Sequence, residues 1–181
     1  SQLHTSNQKE ALHNFLLQFF DDVVYLIYIR CQEDILASEY SEHVRQSGTA
    51  TLTDFVNHAM HWHNYDEMLT RWENTVGPER ITVRLFDPGF LEDGDIISDY
   101  CKVVGLDLAK LDRPERENRA LTAEAAELIR IMNETHPKFR PDRSMDHLAA
   151  TLRRRLSRPD VQGSCIRLSR EQRARVRAHH R

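Results

Sequence analysis

An arginine and a serine stand eight residues apart, directly after the most apolar stretch of the sequence. The stretch is Val23–Ile29, and it is followed by Arg30 and then by Ser38. A guanidinium beyond the end of a strand can hold a phosphate through two parallel hydrogen bonds, and a serine hydroxyl can add a further donor. Because open parallel sheets bind ligands beyond the carboxyl ends of their strands, this spacing predicts a phosphate site. The structural alternative is that Arg30 pairs with Glu33 or Asp34 and that Ser38 is a surface serine.

The elements around this pair predict an α/β fold. The run 23–29 is apolar on both faces, which is typical of a strand in the middle of a covered sheet, and the alternating stretch 81–86 predicts a second strand. Apolar residues at helical spacing and capping residues predict the helical segments. These segments are 7–20, 32–45, a long region from 51 to 76, 91–104, 122–134, 144–156 and a last helix after 169.

Two strands are few for so many helices. A strand that is buried on both faces needs neighbours on both sides, and the sequence offers one clear partner. We therefore expect the sheet to be completed by residues upstream of Ser1, since the chain does not begin with Met; the alternative is that weak strands lie elsewhere. No linker or repeat interrupts residues 1–181, which we interpret as one domain with a basic C-terminal part at 138–181.

Composition narrows the class of protein. The chain is 40% hydrophobic and 29% charged, and its longest apolar run is too short to span a bilayer. No signal peptide is visible, and three widely spaced cysteines indicate a reducing compartment, so we expect a cytoplasmic protein. Residues 138–181 hold 13 Lys and Arg against 4 Asp and Glu. This segment could meet an anionic ligand, an acidic partner or the acidic remainder of the chain, but its single aromatic residue argues against nucleic-acid binding.

Three closely spaced histidines are the candidate metal ligands of the sequence. His58 and His61 would share one face of the predicted long helix, while His63 would point elsewhere. No cysteine or carboxylate stands at an obvious completing spacing. We therefore expect no metal.

The order of residues from 24 to 40 resembles a known family. An apolar strand is followed by Arg30, a polar pair, Asp34, apolar residues and Ser38-x-Tyr40. This order is similar to the 3′-phosphate-binding segment of the P-loop-type sulfotransferases, which use 3′-phosphoadenosine 5′-phosphosulfate (PAPS). The likeness to bacterial sulfotransferase-like proteins continues through 65–86, Asn118, 121–133 and 163–169.

The resemblance implies a P-loop NTPase-like, helix-rich fold around a parallel sheet, and Arg30 and Ser38 as ligands of the 3′-phosphate of PAPS. It implies transfer of a sulfuryl group to a hydroxyl acceptor, with a saccharide as one candidate. Some sulfotransferases place a catalytic histidine upstream of this strand, where His4 stands. A late basic segment also helps to hold the 3′-phosphate in the family, but no single arginine in 138–181 can be assigned to that role.

One part of the family pattern is missing. Sulfotransferases hold the 5′-phosphosulfate in a strand–loop–helix near the N-terminus. The nearest candidate, 89–95, has acids where phosphate would lie and Asp95 in place of the lysine, so we interpret it as a surface turn. Either the missing loop precedes Ser1, or the protein is a non-catalytic helical interaction protein on a sulfotransferase-like scaffold.

Overall fold

The computed structural model describes residues 6–113, 120–136 and 144–180. The chain divides into two compact units that alternate along the sequence. Unit 1 comprises Ser1–Cys31 and His63–Asp112, and unit 2 comprises Gln32–Trp62 and Arg113–Arg181. Among the described helices, none combines the length and the apolar character that a membrane crossing requires.

Helices dominate the described residues, and two strands accompany them. In chain order the elements are α1 (Ser6–Leu16), β1 (Tyr25–Ile29), α2 (Gln32–Arg45), α3 (Leu52–Ala59), α4 (Tyr65–Val76), β2 (Ile81–Leu85), α5 (Ile96–Val104), α6 (Ala123–Thr135), α7 (His147–Leu156) and α8 (Arg170–His179).

Unit 1 is built on the sheet. Strands β1 and β2 run parallel, and their register places Tyr25 beside Ile81 and Ile29 beside Leu85. Because side chains alternate along a strand, one face carries Tyr25, which packs on Trp72 of α4 at 4.9 Å between ring centroids. The other face carries Tyr28, which contacts α5. Helices therefore cover both faces, as the α/β prediction requires.

The expected burial of β1 is not observed. All five of its residues are half-buried, and the described residues contain one two-stranded sheet. The apolar sequence alone predicted a central strand covered on both faces. Because β1 pairs with one strand in the described residues, the further neighbour that we expect upstream of Ser1 stays a prediction. What the structure does contain is a helix-rich α/β arrangement with a parallel sheet.

Unit 2 is a helical cluster around an apolar core. Helix α2 contributes Leu36, Tyr40 and Val44, which are almost fully buried, and packs on α3, α6 and α8. The i, i+4, i+8 spacing of these three residues is the reason why one face of α2 is buried. Ile129 of α6 and Val176 of α8 complete the centre of the core.

Several predicted helix ends are confirmed and others are wrong. Helix α2 has the predicted bounds, and Ser169 forms the predicted capping box with Gln172 at the start of α8. Helix α1 ends at Leu16 rather than at 20. The long region from 51 to 76 is two helices, because Asn64 accepts a hydrogen bond from the Glu67 amide and starts a new helix.

Candidate functional site

The candidate site begins at the end of β1, where Arg30 follows the last strand residue in unit 1. The amide of Phe86 donates to the carbonyl of Ile29 over 2.7 Å, so the pairing of the two strands extends to the edge on which Arg30 lies. The Tyr65 hydroxyl donates to the Arg30 carbonyl over 2.7 Å. These two contacts fix the backbone from which the Arg30 side chain projects.

The Arg30 guanidinium lies over the Phe86 ring, with its central carbon 5.8 Å from the ring centroid. A cation–π contact uses the charge of the guanidinium and does not require its N–H donors. The side chain is half-buried. It is therefore held at the sheet edge while its hydrogen-bond donors can still meet a ligand.

A second arginine on the same face of the sheet has a different environment. The register pairs Tyr28 with Arg84, and both side chains contact Asp99 of α5. Arg84 Nε donates to Asp99 Oδ2 over 2.8 Å, and a second Arg84 nitrogen contacts Asp99 Oδ1. Arg84 is thus neutralised by a two-point ion pair.

Asp99 has no exposed surface and accepts from several donors. Besides Arg84, the Tyr28 hydroxyl donates over 2.7 Å and the Glu92 amide donates over 3.0 Å. The hydrogen bond from Arg84, together with those from Tyr28 and Glu92, lowers the pKa of Asp99 to about 2 despite its burial. Burial and the hydrogen bond to Asp99 raise the pKa of Tyr28 to about 12. The hydrogen-bonded group of Tyr28, Arg84 and Asp99 therefore connects β1, β2 and α5.

The arginines in the described part of unit 1 differ in whether they pair with a carboxylate. Arg71 pairs with Glu67, and Arg84 pairs with Asp99. Arg80 pairs with Glu79, and its Nε lies 3.6 Å from Asp22 Oδ1. In the described part of unit 1, Arg30 is the arginine without a carboxylate partner. The alternative partner Glu33 is bound to Arg177 within unit 2. An arginine held in place but not neutralised is suited to an external anion.

Ser38, the second predicted ligand, lies in unit 2 on α2. Its side chain is exposed, whereas Leu36 and Tyr40 on either side of it point into the core of that unit. The predicted helix is therefore confirmed and leaves the Ser38 hydroxyl open to solvent. Joint binding of one phosphate by Arg30 and Ser38 stays a prediction of the sequence.

The glycine-containing loop 89–95 is a surface turn, as predicted. Asp93 adopts a left-handed φ of 52°, and Asp95 caps α5 by accepting from the Ile97 and Ser98 amides, each over 3.1 Å. The helix N-terminus that a phosphate would need is therefore occupied by a carboxylate of the chain itself.

The basic C-terminal part divides into buried and exposed arginines. Arg153 is 6% exposed, and its guanidinium donates to Asn133 Oδ1 and to the His136 carbonyl. Arg154 and Arg155 next to it are exposed. The three successive arginines therefore do not form one cationic surface.

The histidines do not form the arrangement considered from the sequence. Helix α3 ends at Ala59, so His58 and His61 do not share a helix, and His63 belongs to unit 1. His61 Nδ1 instead lies 2.9 Å from His179 Nε2. Within the described residues, no three His, Cys, Asp or Glu side chains are placed to hold one metal ion. His4 and Asn118 lie outside the described residues.

Three residues that support the site were not identified from the sequence. Asp99 lies in the first turn of α5, where a carboxylate is common and needs no partner from a strand. Arg84 and Tyr65 lie in the stretch 65–86 that resembles the family, but the sequence assigned no role to either. The one available signal was the placement of Arg84 opposite Tyr28 once the two strands are paired in parallel.

Comparisons of the chain with protein-family models, with curated proteins and with solved structures found no match.

Proposed function

We propose that this protein is a sulfotransferase-like enzyme that binds PAPS through its 3′-phosphate at Arg30 and Ser38 and transfers the sulfuryl group to a hydroxyl acceptor. The observation that carries the proposal is the position of Arg30. It follows a strand of a parallel sheet, its backbone is held by Tyr65, and no carboxylate of the described part of unit 1 neutralises it.

The chemistry of the ligand explains why such an arginine is useful. The 3′-phosphate of PAPS is a terminal dianion that takes no part in bond making, so it serves as a handle for the nucleotide. A bidentate guanidinium is the side chain best matched to it, and a serine hydroxyl adds a neutral donor. The sequence resemblance of residues 24–40 supports the same assignment.

The proposed reaction is balanced by one proton transfer and one leaving group. The acceptor oxygen forms a bond to sulfur while the bond from sulfur to the bridging oxygen of the 5′-phosphosulfate breaks. A base takes the acceptor's proton, and adenosine 3′,5′-bisphosphate leaves with the bridging oxygen. His4 is the sequence-based candidate for the base.

Calorimetric titration with adenosine 3′,5′-bisphosphate tests the binding step. We expect the parent protein to bind it more tightly than adenosine 5′-monophosphate, which lacks the 3′-phosphate. Replacing Arg30 with alanine should weaken binding of the bisphosphate by about 10- to 100-fold, the size of the loss of a hydrogen-bonded charge, and R30K should fall between. The S38A variant should bind the bisphosphate roughly three- to tenfold more weakly than the parent.

The matched control is R71A, which removes an exposed arginine of unit 1 that already pairs with Glu67. We expect R71A to bind the bisphosphate as the parent does. Binding of the bisphosphate by R30A with the parent affinity would contradict the site. Equal affinities of the parent for the two nucleotides would contradict the role of the 3′-phosphate.

A further inference from the structure

A groove between α6 and α7 in unit 2 is lined mainly by apolar side chains. It has a volume of about 510 Å³. Leu128 on α6 is 57% exposed, and Leu152 on α7 is 42% exposed. Its lining is almost entirely apolar and consists of Leu128, Met132, Leu152, Arg155, Leu156 and Val161.

Both helices also contribute residues to the core of unit 2. Helix α6 buries Ala126 and Ile129, and α7 buries Ala149. Met132 and Leu156, which line the groove, pack against this core, so the groove continues the apolar core to the surface. Leu128 and Leu152 lie at its exposed side, and Leu148, 67% exposed, precedes Leu152 by one helical turn on α7. Exposed apolar side chains grouped in this way are typical of a surface that binds another molecule.

Three arginines lie beside the groove. Arg154, Arg155 and Arg158 line an adjoining hollow of about 320 Å³, and Arg155 lines both the hollow and the groove. None of these three arginines forms an ion pair in the part of the chain that the structure describes. The acids nearest in sequence to Leu128 and Met132 on α6, Glu127 and Glu134, are both bound to Arg130.

We propose that this groove binds an acidic amphipathic helix of a partner protein. A third helix laid between two helices packs its side chains into the spaces between theirs, and its leucines at i, i+3 or i+4, and i+7 would fill the apolar groove. Its glutamates or aspartates would face Arg154, Arg155 and Arg158. A second copy of this chain docked symmetrically through the same groove would bring two such arginine clusters together, which is unfavourable.

The test uses a synthetic probe with the proposed chemistry. The probe is a fluorescein-labelled helical peptide of roughly 18 residues with leucines at i, i+3, i+4 and i+7 and glutamates on both flanks. Its partner probe has lysine in place of every glutamate. By fluorescence anisotropy with the whole chain, we expect the acidic probe to bind at least about tenfold more tightly than the basic one.

Two variants assign the binding to the groove. L152Q should weaken binding of the acidic probe about tenfold through loss of apolar contact. R155E should weaken that binding by a similar factor and should also reduce the preference for the acidic probe over the basic one. The matched controls are L106Q, at a leucine of unit 1 with similar exposure, and R175E, at an exposed arginine of α8. Both controls should bind as the parent does, and circular dichroism should show that all four variants retain the helical content of the parent.

The opposite results are equally clear. No binding of the acidic probe at about 100 µM, or equal loss in L152Q and L106Q, would overturn the proposal. Sedimentation equilibrium tests whether a second copy of the chain occupies the groove instead. A dimer of the parent chain that L152Q abolishes would show that a second copy, not an acidic helix, covers the groove.

Discussion

Tyr28 and Asp99 lie 71 residues apart in the sequence and are joined by a hydrogen bond of 2.7 Å between a phenol and a carboxylate with no exposed surface. Arg84 contacts the same carboxylate from the neighbouring strand. One buried charge therefore connects both strands to α5, and Arg30 projects from the end of the strand that Tyr28 helps to anchor. The following predictions test this dependence.

Replacing Asp99 with asparagine should destabilise unit 1. The amide keeps the shape of the carboxyl group but leaves the charge of Arg84 uncompensated and replaces one acceptor with a donor. We expect the urea midpoint of D99N to fall clearly below that of E73Q, which changes an exposed carboxylate on α4 in the same way. Equal midpoints for the two variants would show that the ion pair with Arg84 does not stabilise the fold.

The contribution of Asp99 should also depend on pH in a defined direction. Its folded pKa of about 2 lies below the value of about 3.9 of an unfolded aspartate, so the folded state favours the ionised form. The stabilisation is complete above about pH 4 and is lost as the pH falls towards 2. Urea unfolding between about pH 6 and pH 2 should show the stability difference between the parent and D99N shrinking over that window. A difference that stays constant down to pH 2 would contradict the lowered pKa.

Tyr28 should show the complementary behaviour in alkali. Its pKa of about 12 lies above the ordinary value of 10, so the folded state favours the protonated phenol. Its contribution is complete below about pH 10 and is lost as the pH rises towards 12. Ultraviolet difference titration of the parent against Y28F should show one phenol ionising near pH 12. Ionisation of that phenol near pH 10 would indicate that the hydrogen bond to Asp99 is absent in solution.

The secondary structure was largely predictable because local signals specify it. Helix α2 has the bounds that its apolar spacing predicted, and the Ser169 capping box marks the start of α8. The division between α3 and α4 was missed because no glycine or proline stands there. Asn64 with Glu67 three residues later is a capping signal that could have indicated it.

The candidate site was only partly predictable, for a physical reason. The position of Arg30 follows from one strand and its end, which a single segment specifies. The network that supports this strand cannot be derived from a single segment, because Tyr28, Arg84 and Asp99 come into contact only after the strands pair and α5 packs on them. The division into two units was likewise invisible, since each unit is assembled from separate stretches of the chain.

Asn133 and Arg153 provide a last prediction, in unit 2. The Asn133 amide group donates to the carbonyls of Val44 and Gly48, each over 2.8 Å, and its oxygen accepts from Arg153 over 2.6 Å. N133A would leave both carbonyls and a buried guanidinium without these partners. From the penalty for unsatisfied buried groups, we expect it to cost about 3 kcal/mol of unfolding free energy.

Replacing Arg153 itself should cost less. Burial lowers the pKa of Arg153, which means that the surroundings disfavour its charge, and methionine fills a similar volume without one. We expect R153M to lower the free energy of unfolding by about 1 kcal/mol. The double variant N133A/R153M should lose less than the sum of the two single losses, because without Arg153 the N133A change leaves no buried guanidinium without its partner. R154M, at the exposed neighbouring arginine, is the matched control and should change the urea midpoint little. Additive losses, or a larger loss for R153M than for N133A, would show that Arg153 stabilises unit 2 by its charge and that Asn133 is not the centre of the network.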